Sequence, residues 1–477
     1  MTSRPRLVLT LVCAATFLVY LDTSITPVAI PAIDADLGAA TTAAQWLLDA
    51  YTLAFACLLL SAGSFGDRLG RKRVLLLGTT GFTLASVACA LAPDIGFLIG
   101  ARAAQGVCAA AVVPLSLAVT SALFPDARRR ATAIGVWGGT SGVALALGPL
   151  LGGVLVQAAG WRSMFWLNLP IGLAAVLGLL WTMPRQAPSG GRRPDFAGQT
   201  LFILGGSALT FALIEGRSYG WGSVPILALL AGGVLALVAF AGWELRAAEP
   251  MLPPRLLRVP AVAIACAVNF LGLFGLYAVL YLVTVYLQDE LGLSALGTGL
   301  RFLALFGFLG VTAIFASAVV ARLGTRRTMV SGLVCITVGL AGLTLLETGV
   351  PYPGYGWAFV LLGVGIPLSG GVVAIQAMMG AVPPALGGTA SGTMNTFRQF
   401  GAVFGVALAG ILPSPAVTFL VAAAGALLGV VVVLVQRGGQ EKPTGLGTGT
   451  APAAMTASAS GRSSETNSSV AASPSAE

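Results

Sequence analysis

Asp22 and Arg102 are opposite charges set inside two long apolar runs of a 477-residue chain. A carboxylate held away from water costs about 2.5–3.5 kcal/mol on membrane-insertion scales, so such a group usually faces a cavity and acts there. It can take up and release a proton, and a guanidinium beside it would tune its proton affinity as the surroundings open and close. The alternative is a static buried ion pair that only fixes helix packing. Gln105 stands three residues beyond Arg102 on the same helical face, where it could hydrogen-bond the pair or a ligand. The chain has no histidine. That removes histidine-based hydrolysis, HExxH metal sites and histidine proton relays, and leaves titration to carboxylates. The absence of a GxxxxGK[ST] stretch disfavours an ATP-driven pump. Cys13, Cys57, Cys89, Cys108, Cys266 and Cys335 lack metal-ligand spacing and are read as free packing residues.

These side chains need apolar helices to position them. Apolar residues make up 57% of the chain and charged residues 9%, against about 45–50% and about 25% in soluble proteins. A run of about 20 apolar residues spans a hydrocarbon core as a helix. Fourteen are predicted, at approximately 7–31, 46–65, 74–92, 95–121, 132–158, 164–183, 198–215, 224–243, 260–287, 299–320, 328–346, 356–380, 390–412 and 416–435. The net charge of +9 would suggest nucleic acid in a soluble protein. Here Lys and Arg gather in alternate loops instead, so no nucleic-acid partner is expected. Arg4 and Arg6, the 68–73 cluster, Arg128 to Arg130, Arg192, Arg193, Arg322, Arg326, Arg327 and Arg437 fall on one side. By the positive-inside rule that side is cytoplasmic, with both termini on it. At about 1.5 Å per residue, Asp22 lies about 13 Å and Arg102 about 11 Å below the outer ends of their spans. The two charges share a depth.

Other residues invite weaker readings. Gly135 and Gly139, Gly138 and Gly142, and Gly148 and Gly152 are spaced to open a smooth helical face for a close neighbour, and Pro149 bends the helix at Gly148. Asp49 lies within a turn of the outer end of the second span, as a solvated carboxylate or a substrate contact. Glu215 ends the seventh span. Ser391, Asn395 and Arg398 form one stripe of the thirteenth span, with Gln399 at its margin, and read as a cavity-facing or interhelical polar seam. Arg301 could snorkel to the outer interface or meet an anionic substrate.

The sequence GSFGDRLGRKR at 63–73 forms a charged hairpin between two spans. Orientation alone would need only Arg68, Arg71, Lys72 and Arg73. It would not need Asp67, nor Gly63, Gly66 and Gly70 spaced to let helix ends approach. RLGRKR at 68–73 recurs as RLGTRR at 322–327, with Ala321 where the first copy has Asp67. The chain therefore reads as two homologous halves. Removing a two-helix insert leaves an offset that fits six helices.

The hairpin resembles the signature loop of the major facilitator superfamily. The set LDTSITPVAIP at 21–31, RAAQG at 102–106, GVALALGPLLGG at 142–153, WRSMFWLNLPIG at 161–172, LIEG at 213–216, YLQ at 286–288, LGLSALGTGL at 291–300 and ASGTMNTFRQFG at 390–401 is similar to the 14-helix drug:proton antiporter branch. The resemblance implies an all-α polytopic membrane protein of two six-helix bundles with two inserted central helices. The bundles are expected at 1–183 and 260–436, the insert with its loops at 184–259, and a disordered cytoplasmic tail at 437–477. Asp22, Arg102 and Glu215 are then candidates for proton coupling. Gly63, Gly66, Asp67, Arg68, Gly70, Arg71, Gly148 and Pro149 are candidates for the conformational change, and Asp49, Gln105, Asn395, Arg398, Gln399 and Arg301 for the substrate cavity. The expected task is export of small, largely apolar drugs, antibiotics or metabolites by proton antiport, in a bacterial cytoplasmic membrane. No metal or cofactor is expected beyond the proton gradient, and the chain is expected to work as a monomer. An importer on the same fold is the alternative, with a membrane enzyme less favoured.

Overall fold

A computed structural model describes residues 5–38, 41–183, 195–346, 350–382 and 386–435. The proposed tail and the Arg185–Arg193 stretch lie outside the described residues. The first part of the chain folds as α1 (Pro5–Leu37), α2 (Thr41–Leu69), α3 (Arg71–Ala90), α4 (Ile95–Leu123), α5 (Ala127–Ala159), α6 (Arg162–Trp166) and α7 (Asn168–Thr182). A central pair follows, α8 (Phe196–Tyr219) and α9 (Val224–Glu244), then the short α10 (Pro254–Leu257). The remainder is α11 (Pro260–Val285), a π turn at Tyr286–Glu290, α12 (Ala295–Leu323), α13 (Thr325–Leu343), α14 (Tyr352–Ser369), α15 (Gly371–Ala381), α16 (Gly387–Ile411) and α17 (Pro415–Val435). No strand occurs among the described residues.

Thirteen helical segments among the described residues are long and apolar enough to cross a membrane, with α6 and α7 forming one and α14 and α15 another. The remaining predicted span is α16, which is helical over 25 residues and made more polar by Asn395, Arg398 and Gln399. Side chains fix where several helices begin. Asp94, Asp126, Asp195 and Ser294 each accept the backbone N–H three residues on, satisfying a donor that the helix itself leaves free.

Helix pairing repeats between the two parts. In the first, α1 packs on α5 and α7, and α4 on α2 and α3, with α3 against α7; in the second, α11 packs on α16 and α17, and α14 on α12 and α13, with α13 against α17. The hairpin turns match as well. Gly70 (φ 92°) and Gly324 (φ 78°) both take a backbone conformation that a Cβ disfavours, 254 positions apart. Two residues after each glycine, a basic side chain reaches the end of the last helix of its own half. Lys72 Nζ donates to Leu180 O at 2.9 Å, and Arg326 donates to Val433 O at 3.2 Å and to Leu434 O. Those interactions offset carbonyls that a helix C-terminus leaves unpaired.

The halves meet where α5 packs on α12 and α2 on α16. The inserted pair straddles the second seam. From α8, Gln199 donates to Cys57 O at 2.8 Å and pairs with Ser61, while Phe202 meets Phe400 of α16 with ring centroids 5.2 Å apart.

Closure differs between the two ends. At the charge-poor end one apolar cluster runs through both halves, joining Ile25, Ala29, Leu47 and Phe165 to Leu280, Tyr281, Phe302 and Phe359. Toward the basic end the cores are separate, one around Leu75, Phe82 and Leu115 and another around Leu333, Met378 and Met394. The glycine face of α5 divides in the same way. A Cβ on Gly148 would overlap Ser24 Oγ, and one on Gly152 would lie 2.8 Å from Ile25 Cγ1. At Gly135, Gly138, Gly139 and Gly142 it would meet nothing. The close approach expected along the whole face is thus confined to its charge-poor half; toward the basic end α5 stays against α1 and α4 through Trp137, which donates to Thr16 and Ser116, while its glycines face no neighbour.

Candidate functional site

Asp22 sits in a stretch of α1 whose hydroxyls are turned back onto their own helix. Thr23 donates to Val19 O at 2.7 Å, Ser24 to Tyr20 O at 3.2 Å and Thr26 to Asp22 O at 2.8 Å. Pro27, inside α1, removes one further backbone donor just beyond. The hydroxyls being committed, the Asp22 carboxylate takes its partners from other helices.

Those partners form a buried network. Arg102 of α4 is ion-paired to Asp22 Oδ2, and both side chains are 1% exposed. Gln105 Nε2 donates to Asp22 Oδ1 at 3.0 Å, and Asn168 Nδ2 of α7 donates to the same oxygen at 3.1 Å. Ser86 Oγ of α3 receives both amides, at 2.8 Å from Gln105 and 2.7 Å from Asn168. Arg102 also donates to Gln105 Oε1 at 2.7 Å and to Leu47 O at 3.2 Å, and lies 4.3 Å from the centre of the Tyr51 ring. Ion pair, amides and π face together supply the compensation that two buried charges require. The arrangement also makes the site sensitive to one proton. Neutralising Asp22 would leave the Arg102 charge sealed with amides and a ring but no anion, which favours a rearrangement that rewets it.

The equal depth of Asp22 and Arg102 places them in contact, with Gln105 between. Ser86 and Asn168 complete the network and were not singled out from sequence. Asn168 lies within the quoted WRSMFWLNLPIG stretch, whereas nothing local marks Ser86. The remaining candidates are distributed elsewhere. Glu215, at the end of α8, accepts from Trp46 Nε1 at 2.9 Å, apart from the Asp22 network. Asp49 is fully buried, so the solvated surface position considered for it does not apply; α2 starts two turns before it, and the closed end covers it. Asn395 donates to Ser391 O of its own helix at 3.0 Å, and Gln399 is buried beside it. Arg398, on the same stripe, is half-buried. Arg301 donates to Gly297 O at 3.3 Å and lies 5.7 Å from the Tyr352 ring centre, on the α12–α14 side.

In the hairpin, Gly66 lets α2 meet Leu115 of α4 without a side chain between, Gly70 supplies the turn, and Arg68 is exposed at the last turn of α2. A Cβ on Gly63 would meet nothing, and Arg71 is half-buried. The Asp67 side chain lies outside the described residues. Gly148 and Pro149 lie at the crossing of α5 with α1 and α12. A separate cavity of about 500 Å³ opens between α8, α9, α11 and α16, walled by Phe202, Phe240, Phe270, Phe397 and Phe400 with the stem of Glu244. Its apolar walls suit an uncharged ligand. The six cysteines are free and none is fully exposed.

Known proteins of this kind share sequence over most of the chain. The multidrug resistance protein Stp of Mycobacterium tuberculosis (strain CDC 1551 / Oshkosh) is 36% identical over 83% of this chain and 73% of its own length. The puromycin resistance protein pur8 of Streptomyces alboniger is 38% identical over 84% and 80%, and the cephamycin export protein CmcT of Amycolatopsis lactamdurans 37% over 85% of each. Among solved structures, the peptide transporter POT in complex with sulfate superposes with a TM-score of 0.68 over 90% of this chain and 94% of that one, at 15% identity, a likeness of fold alone. The sequence profile of the Major Facilitator Superfamily matches residues 12–406, and with the two-half helix pairing this shows that the chain belongs to that superfamily.

Proposed function

We propose that this chain exports small, largely apolar drugs or antibiotics across a bacterial cytoplasmic membrane in exchange for protons, with both termini inside. The observation that carries the reading is the buried Asp22–Arg102 pair, held by five helices of one half beneath an end closed by both halves. An exchanger needs a group whose charge changes with the side to which the protein is open. Asp22 has that chemistry and Arg102 is its counter-charge. Protonation of Asp22 from outside weakens the pair and permits the return to the inward-facing form; deprotonation inside restores it before substrate is taken up. The basic residues Arg301 and Arg398 within the spans, and the apolar cavity, favour neutral or anionic compounds over dications. Relatives named for puromycin resistance and cephamycin export support antibiotics as the substrate class. The chain is read as acting as a monomer without a cofactor.

The test is substrate-induced proton release from reconstituted vesicles, beside susceptibility of an efflux-deficient bacterium expressing the chain to puromycin and to a cephamycin. Export predicts resistance and counterflow of protons and drug. Accumulation of drug with protons moving the same way would identify an importer instead.

A further inference from the structure

Asp34, Asp49 and Asp289 are among the carboxylates that the closed, charge-poor end holds outside the Asp22 network. Asp49 of α2 is 0% exposed, and neither carboxylate oxygen has a hydrogen-bond partner among the described residues. Asp34, near the end of α1, has a buried Oδ1 in the same condition. Asp289 belongs to the π turn of the opposite half. Tyr281 of α11 is buried in the cluster that closes the same end. Closing this end therefore seals Asp49 beside Leu47 and Leu48 in the apolar cluster that runs through both halves.

The charged and titratable groups on the surrounding elements are engaged elsewhere. On α1 and α4, Asp22 and Arg102 hold each other. On α8, Glu215 accepts from Trp46 and Arg217 donates to Gly410 O. On α3, Cys89 points to Gln105. Tyr51, on α2 itself, donates to Val19 O; α11 carries Tyr277 and Tyr281, and α16 carries Arg398. None of these donates to Asp49. A carboxylate ion sealed from water without a cation or donor is strongly disfavoured, whereas the neutral acid is tolerated.

We propose that Asp49 is the proton-binding group of the outer gate: the gate closes with a proton on Asp49, taken from outside, and reopens when that proton is lost. The inference rests on the exporter reading for its orientation and adds a second acid, separate from Asp22. Its sense suits the task, because an acidic exterior pushes the empty protein back to the form that faces the cytoplasm.

The test uses the full chain in lipid nanodiscs, with the native cysteines replaced and spin labels at Ala35→Cys and Leu345→Cys, both exposed at the charge-poor end. The distance between labels reports gate opening. For one proton the open-to-closed ratio rises up to about tenfold per pH unit through the titration. Asp49→Asn should stay closed and lose that dependence, with Asp49→Thr as a second neutral variant should the first fold poorly. Glu290→Gln, exposed on the π turn at the same end, should keep it. An Asp49→Asn protein that follows the wild-type pH response overturns the proposal, as does a wild type whose gate ignores pH. Proton release from wild-type vesicles separates the two readings. Its absence beside a titrating gate sinks proton-coupled export and leaves Asp49 standing; its presence beside an unaltered Asp49→Asn response sinks Asp49 alone.

Discussion

Gly299 of α12 rests its bare Cα against the carbonyl of Pro149 in α5, so closely that an added methyl would overlap that oxygen. One turn along α5, a Cβ on Gly153 would lie 2.6 Å from Leu296 Cα. The seam between the halves is thus backbone against backbone, and no side chain can rotate aside to admit a larger residue. Gly299→Val should lower thermal stability by about 1–3 kcal/mol, the usual range for overpacking, and reduce drug efflux at least severalfold at equal expression. Gly307→Ala on the same helix, where a Cβ meets nothing, should transport normally. Equal loss in both variants would show that the damage is not specific to the seam.

Asp22 and Arg102 should behave as a unit. Arg102→Ala leaves the Asp22 carboxylate buried with only amide donors, and breaking a buried pair from one side typically costs about 3–5 kcal/mol. Adding Asp22→Asn removes the stranded charge, so the double variant should recover much of the lost stability in detergent melts. Asp22→Asn alone should still exchange substrate across vesicle membranes without concentrating it. Uphill transport by Asp22→Asn with undiminished proton counterflow would move the coupling group elsewhere. No rescue in the double variant would make the two contributions independent.

Lys72 and Arg326 invite a comparison between the halves. The sequence suggests a weaker second hairpin, since Ala321 stands where Asp67 stands in the first. For the basic residues the structure gives equal roles, because each closes the C-terminus of the last helix of its half. Lys72→Ala and Arg326→Ala should therefore lower stability by similar amounts, about 1 kcal/mol each for a hydrogen bond of this kind. A loss confined to Lys72→Ala would mean that the Arg326 contact contributes nothing.

Depth counting along helices was enough to place Asp22 beside Arg102, because both helices are long and the rise per residue is constant. The repeat was legible for the same reason: the hairpin glycine needs a conformation few residues adopt, so it persists in both copies. Ser86 was not legible, since a serine on an apolar helix is ordinary until a neighbouring helix brings Gln105 and Asn168 to it. For Asp49 the sequence leaves a solvated position and a substrate contact equally open, and burial removes the first, because it comes from the way the two halves close over α2, a relation that no local pattern encodes. The empty half of the α5 glycine face was hidden too, as glycine spacing states what a face permits and not whether a partner occupies it.

The unoccupied half of that face yields the last prediction. Gly135, Gly138 and Gly139 of α5 are exposed toward the basic end, and Gly307 and Gly310 of α12 would likewise give a Cβ nothing to meet. On the same stretch of α12, Val311, Ile314 and Phe315 are 53%, 75% and 59% exposed. With the seam at Gly299 and Pro149 too tight to slide, rocking about it would carry these basic-end halves toward each other as the charge-poor end opens. In a background lacking the native cysteines, Gly139→Cys with Gly310→Cys should be joined by a short bismaleimide severalfold faster under conditions that open the outer gate. Gly139→Cys with Leu323→Cys, farther along α12, should respond less. Cross-linking of the first pair at one rate in every condition would show that α5 and α12 do not pivot about Gly299, and that the exposed glycines serve only as a lipid-facing surface.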